Sequence, residues 1–269
     1  MEIVSTLSRL YEKDNQKSRN INDENGICSY FDYKNDIGYV QVKDFMNLQG
    51  KKLLTTLESM KEFSSIIIDL RDNYGGLRNY GIKYLYAPIY NDSVTVTHNW
   101  FIPDSDSNKV INNAALNRFV YCTDKNESGF YYTRKYTYKG ESTQTKQSIY
   151  YLINRRTGSA ADGYIAMIKE NNLGTIVGSI TRGEGLADSF YRGSLKHSGL
   201  VYIYFPSLCY NKDGTNNSVY GTKPDIYINK TKESFYKEKD LQENGIDINI
   251  YTERIKYDNI LIKTIEMIQ

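Results

Sequence analysis

SSIIIDL, residues 64–70, most constrains what this chain can become. It is a continuous apolar run, too short to be a helix of its own, and helical patterns stand on both sides. Such a run reads as a strand buried on both faces, the signature of a parallel sheet under helices. Upstream, IGYVQVKDF has the apolar positions Ile37, Tyr39 and Val42 of a largely buried strand. Between the two lies QGKKLLTTLESMKEF, where Leu53, Leu57 and Met60 recur at helical spacing. Residues 37–70 therefore predict strand, helix and strand, a crossover unit of right-handed sense.

The same logic extends along the chain. QSIYYLI and GTIVGS predict two more core strands. Between them Ala161, Tyr164, Ile165 and Ile168 mark the buried face of a helix. Ile260, Ile265 and Ile268, with Leu261 beside them, predict a terminal helix. GIKYLYAPI reads as helical up to Pro88. Residues 1–35 predict a short helix and a polar linker. Residues 90–147, holding SVTVTHNWFI and GFYYTRKYTYKG, predict a β-rich insertion, in keeping with the 26 tyrosines of the chain. SLKHSGLVYIYFPSLCY predicts a strand pair, and residues 230–247 a charged, exposed stretch. The fold class expected is α/β, built from βαβ units, and the length allows one large domain or two small ones.

Composition excludes several function classes. Lys and Arg number 34 against 32 Asp and Glu, so a net charge of +2 gives no electrostatic case for nucleic acid. No run of about 18 apolar residues predicts a membrane span. Cys28, Cys122 and Cys209 are odd in number and lack metal-ligand spacing, so buried thiols are expected. His98 and His197 are too isolated to suggest a metal site. No cofactor is expected. The N-terminus lacks the long apolar core of a signal peptide, so a cytoplasmic protein is expected, or an extracytoplasmic one if an upstream signal segment has been removed.

Three loops carry residues suited to chemistry: RDNYGG (71–76), RTGSAAD (156–162) and TRGEG (181–185). Each follows or joins an apolar strand, and strand ends in open α/β sheets gather distant loops. Ser159 opens a helical pattern. A serine there gains free backbone N–H groups and the positive end of the helix dipole, which suits a nucleophile. The competing reading is an ordinary cap, since Ser159-Ala-Ala-Asp162 resembles a capping box. Gly75 and Gly76 allow positive φ and leave an N–H unobstructed, either for an oxyanion beside the N–H of Ala160 or simply for a tight turn. Glu184, between two glycines, is a general base or a solvated loop charge. His98 and His197 lie in strand-like segments and are expected at the surface, although folding can bring either near Ser159.

Taken together, these loops resemble those of the C-terminal processing peptidases, or tail-specific proteases. SIIIDLRDNYGG is similar to the family's Leu-Arg-x-Asn-x-Gly-Gly strand end, through Leu70, Arg71, Asn73, Gly75 and Gly76. INRRTGSAADGYIAMIKENNLGTIVGSITRGEG resembles its nucleophile segment, with Ser159 at the catalytic serine. YGTKPDIYI is similar to its Gly-x-x-Pro-Asp motif, through Gly221, Pro224 and Asp225. The resemblance covers roughly residues 36–269 and implies a crotonase/ClpP-like α/β core with the β-rich insertion at 90–147. It implies a serine-type peptidase acting on polypeptides, with an oxyanion hole from Ala160 and Gly75 or Gly76.

The departures concern proton transfer. One branch of the family has a lysine where Glu184 stands. The other takes a histidine from a segment before the first core strand, but residues 1–36 hold none. Its glutamate position is Val219 here. The base must come from Glu184, His98, His197 or a second subunit. The alternatives are an inactive relative that binds extended peptides, or a fragment of a longer active enzyme.

Overall fold

A computed structural model of the chain describes residues 19–22, 27–46, 50–103, 121–126, 129–142, 147–185, 191–204 and 208–269. The helix expected near the N-terminus lies outside these residues. The polar linker expected up to residue 35 is instead largely sheet. β1 (Arg19–Asn22) and β2 (Ile27–Asp32) are strands, and β2 is buried along its whole length. They pair antiparallel with each other, and β2 pairs antiparallel with β3 (Ile37–Val42), extending the core sheet.

From β3 onward the pattern is βαβ. β3 is followed by α1 (Gly50–Ser59) and then by β4 (Ser65–Asp69), which pairs parallel with β3. A π-helical turn (Ile82–Tyr86) runs into the short helix α2 (Ala87–Ile89). β5 (Ser93–Pro103), β6 (Tyr121–Asn126) and β7 (Gly129–Lys139) form the excursion. The chain re-enters the core at β8 (Ser148–Ile153), then α3 (Ala160–Glu170) and β9 (Thr175–Gly178). After the hairpin β10 (Tyr191–Ser194) and β11 (Val201–Tyr204) comes β12 (Leu208–Tyr210). The remainder is α4 (Asn217–Tyr220), β13 (Ile226–Tyr227), α5 (Lys232–Glu243), α6 (Tyr251–Arg254) and α7 (Asn259–Ile268).

The main sheet has seven strands in the order β1-β2-β3-β4-β8-β9-β13. From β3 to β13 every pairing is parallel. This explains the uninterrupted apolar runs. In β4, Ile66 and Ile68 face one core with Leu53, Leu57 and Ile165, while Ile67 faces a second core with Tyr251, Ile260 and Leu261. Alternate residues of one strand thus serve two helical layers, and neither set can be polar. A second, antiparallel sheet, β12-β5-β7-β6, holds the insertion strands.

Candidate active site

The loops leaving β4, β8 and β9 emerge at the same edge, because these three strands are parallel neighbours. The loop after β8 lies between the other two. Gly158 N–H donates to Asn73 O at 2.9 Å, and Ser159 N–H donates to Gly183 O at 2.9 Å. Arg182 N–H reaches Thr157 O at 2.7 Å, and Thr157 Oγ1 donates to Leu70 O at 2.8 Å. A Cβ placed on Gly75 would lie 2.7 Å from Ala160 N and 2.8 Å from Ser159 Cβ. The diglycine bend and the serine loop are therefore in contact, and only a glycine permits it.

Ser159 is exposed at the N-terminus of α3, with φ 51° and ψ −131°. A non-glycine residue with positive φ is uncommon, and such strain gathers at working sites. Its side chain makes no capping hydrogen bond. The capping-box reading fails on both halves. Ser159 N–H goes to Gly183 O, and Asp162 turns inward to Thr181 Oγ1, Asn217 Nδ2 (2.9 Å) and Gly185 N–H (3.2 Å). Asp162 is fully buried, and burial pushes its carboxyl above the ordinary range, with those hydrogen bonds pulling the other way.

The main-chain donors differ in their commitments. Gly75 is buried, and its N–H is taken by Asn73 Oδ1 at 2.8 Å. Gly76 is exposed and lies beside Phe45 in a parallel bridge. Among the described residues, neither Gly76 N–H nor Ala160 N–H donates a hydrogen bond.

Glu184 is brought close by Gly183, whose carbonyl holds Ser159 N–H. It sits at φ 70°, exposed, with Oε2 3.6 Å from Arg182 Nε. His98 is not the surface residue expected. It is half-buried in β5, its ring 5.2 Å from Tyr136 and 5.4 Å from Trp100. It lines a cleft with Ala160, Gly163, Met167 and Gly185. The insertion thus forms a wall beside the N-terminus of α3. His197 is exposed in the turn between β10 and β11. Val219, at the family's glutamate position, is exposed in α4.

Two residues of the sequence motifs, Asp225 and Arg71, have structural partners that the sequence did not indicate. Asp225 of the Pro-Asp pair accepts Ile176 N–H at 2.9 Å and pairs with Lys169 at 2.6 Å, tying β13 to β9 and α3. Arg71 belongs to a buried network. It reaches Asp69 at 2.6 Å and Asp258 at 2.8 Å, and Arg254 reaches Asp258 at 2.7 Å and Asp69 at 3.1 Å. Tyr39 OH donates to Asp69 at 2.8 Å. Burial alone would raise both carboxyls, but the two guanidinium charges outweigh it and hold them below the ordinary carboxylate range. The network anchors the start of the diglycine loop to the C-terminal helices.

Comparison with known proteins places this arrangement. The profile of peptidase family S41 matches residues 36–228. The chain is 24% identical over 157 residues to carboxyl-terminal-processing peptidase 1, chloroplastic, of Arabidopsis thaliana, covering 58% of this chain and 26% of that protein. It therefore spans about a quarter of the length of this curated relative. Among solved structures, a candidate peptidase from Parabacteroides merdae superimposes with a TM-score of 0.60 at 17% identity, covering 93% of this chain and 69% of the other. Mature CPAF complexed with lactacystin superimposes with a TM-score of 0.56 at 16% identity, covering 92% and 54%. At these identities the likeness to solved structures concerns the fold, a mixed α/β sheet with parallel and antiparallel strands. With the profile match running through all three loops, the chain belongs to peptidase family S41, a family of serine peptidases.

Proposed function

We propose that this protein is a serine-type peptidase of the C-terminal processing kind, acting on polypeptides through Ser159. The observation that carries the reading is the convergence of an exposed serine, at positive φ on a helix N-terminus, with the diglycine bend. In this reading Ser159 Oγ attacks the scissile carbonyl carbon while its proton passes to a base. The carbonyl electron pair moves to oxygen, and the oxyanion rests on the N–H groups of Ala160 and Gly76. Collapse of the tetrahedral adduct returns that proton from the base to the leaving nitrogen, expels the amine and leaves an acyl-serine, which water then hydrolyses to the free acid and Ser159. Gly75 contributes by close packing, since its N–H is already engaged.

Glu184 is assigned as the proton acceptor, because its loop is bonded directly to the Ser159 backbone. Arg182 Nε lies 3.6 Å from the Glu184 carboxylate. A carboxylate is a weaker base than an amine or an imidazole, so slow turnover is expected.

A fluorophosphonate probe tests the reading. Labelling of the wild type, absent in Ser159→Ala, is the expected result. No labelling of the wild type at any pH at which it is folded, with extended peptides still bound, would overturn it in favour of a binding protein.

A further inference from the structure

Asn73 has every polar group engaged, and its three contacts beyond its own turn reach three different parts of the site. Its side chain is completely buried. Nδ2 donates to Val42 O at the end of β3, at 2.9 Å. Oδ1 accepts Gly75 N–H at 2.8 Å. Its carbonyl accepts Gly158 N–H at 2.9 Å, one residue before Ser159. The fourth bond, Asn73 N–H to Leu70 O at 3.2 Å, closes the turn at the end of β4.

We propose that Asn73 is a positioning residue that sets the direction of the Gly76 N–H and couples the diglycine bend to the serine loop. This rests on the reading of Ser159 as a nucleophile. The physical argument concerns the Gly75-Gly76 segment, at φ 93° and 143°, where glycine is freest to rotate. Left alone, such a segment aims its N–H groups in many directions. Asn73 Oδ1 holds the first of them inward. Phe45 holds the other side, its N–H on Gly75 O at 2.9 Å and its carbonyl accepting Leu77 N–H at 2.7 Å. With Gly75 fixed on both faces, the following N–H, that of Gly76, is left on the exposed side. The main-chain carbonyl of Asn73 holds Gly158 N–H, so the bend that its side chain fixes is bonded to the serine loop. An oxyanion donor is effective only when aimed in advance, so loss of the clamp acts on the reaction through geometry.

Amide hydrogen exchange tests this in the intact wild-type chain and needs no activity. Gly75 N–H is expected to exchange at least about 10²-fold more slowly than Gly76 N–H, as a buried bonded amide does beside an open one. Asn73→Ala is expected to abolish that difference and to slow fluorophosphonate labelling by about 10²-fold, the scale of losing one oriented oxyanion donor. Asn73→Asp keeps an acceptor for Gly75 N–H and is expected to retain more of the Gly75 protection than Asn73→Ala. Leu241→Ala, a cavity variant in α5, controls for lost stability and is expected to keep wild-type Gly75 protection and labelling.

Gly75 exchanging as fast as Gly76 in the wild type would overturn the proposal, and so would wild-type labelling by folded Asn73→Ala. If Asn73→Ala does not fold, the wild-type exchange pattern and the Asp variant still decide. A wild type that is never labelled counts against the Ser159 reading alone, since the exchange measurement reads Asn73 without it.

Discussion

Arg71 and Asp258, 187 positions apart in the chain, meet in the interior through a 2.9 Å hydrogen bond and a 2.8 Å ion pair. Arg71 lies two residues before Asn73, and Asp258 caps α7 by accepting Leu261 N–H at 3.2 Å. The diglycine loop and the C-terminal helix thus share one anchor. Breaking a buried pair by removing one partner leaves an uncompensated charge. Arg254→Leu should therefore cost about 3 kcal/mol or more of unfolding free energy in denaturant titration.

That anchor also gives a pH dependence of definite sign. Asp69 and Asp258 have folded-state values below the ordinary 3.8, so the unfolded chain binds protons more readily. Their contribution is complete above the unfolded value and is lost as pH falls below it toward the folded values. Asp162, raised by burial, works in the opposite sense. The stability gap between wild type and Asp258→Asn should be large near neutral pH and shrink toward about pH 2. A gap that widens on acidification would contradict the assignment.

Glu170 behaves differently. Burial pushes its carboxyl up to about 7, with the Lys212 charge pulling down in part. A raised folded-state value means the ionised form is penalised in the native state. The penalty is absent below the ordinary 4.5 and grows as pH rises through about 7. Glu170→Gln should raise the melting midpoint in mildly alkaline buffer and leave it unchanged in acid.

Gly75→Ala should fail as both a folding and a reactive variant. Its Cβ would stand 2.7 Å from Ala160 N and 2.8 Å from Gly158 O, at φ 93°. Neither backbone atom can give way without parting the two loops. Loss of fluorophosphonate labelling together with a lowered melting midpoint is the expected pair of results. A stable, reactive Gly75→Ala would mean that the loops do not touch.

Glu184→Gln isolates proton transfer. Glu184 is exposed and its carboxylate faces only the exposed Arg182 among the described residues, so stability should move by less than about 0.5 kcal/mol. Labelling of Ser159 should slow by at least about 10²-fold if the carboxylate takes the proton. An unchanged rate would shift the role to His98, whose variants would then show the loss.

The core strands are legible in the sequence because their burial is written in single residues. Ile66, Ile67 and Ile68 are apolar whichever core they face. β2 does carry apolar residues, Ile27, Cys28, Tyr30 and Phe31, but its six-residue run is short and directly follows the polar stretch 13–26, so it reads as part of a linker. α5 reads only as charged and exposed, since Ser234 and Leu241 are its buried residues and leave no apolar stripe. Asp162 follows a capping-box spacing, yet its partners Thr181 and Asn217 come from other loops. The Asp69–Arg71–Arg254–Asp258 network and the place of His98 depend on pairings across long stretches of chain. Residue spacing does not encode such pairings, and they exist only once the sheets are assembled.

The hydroxyl of Ser159 bears none of the weight of the bend it sits on. Gly183, Asn73 and Gly75 hold that backbone from outside. Replacing the side chain with a methyl group should leave the surrounding frame standing. On the proposed reading of Ser159 as the nucleophile, a Ser159→Ala protein would hold a polypeptide uncleaved, and its capture would identify the substrate.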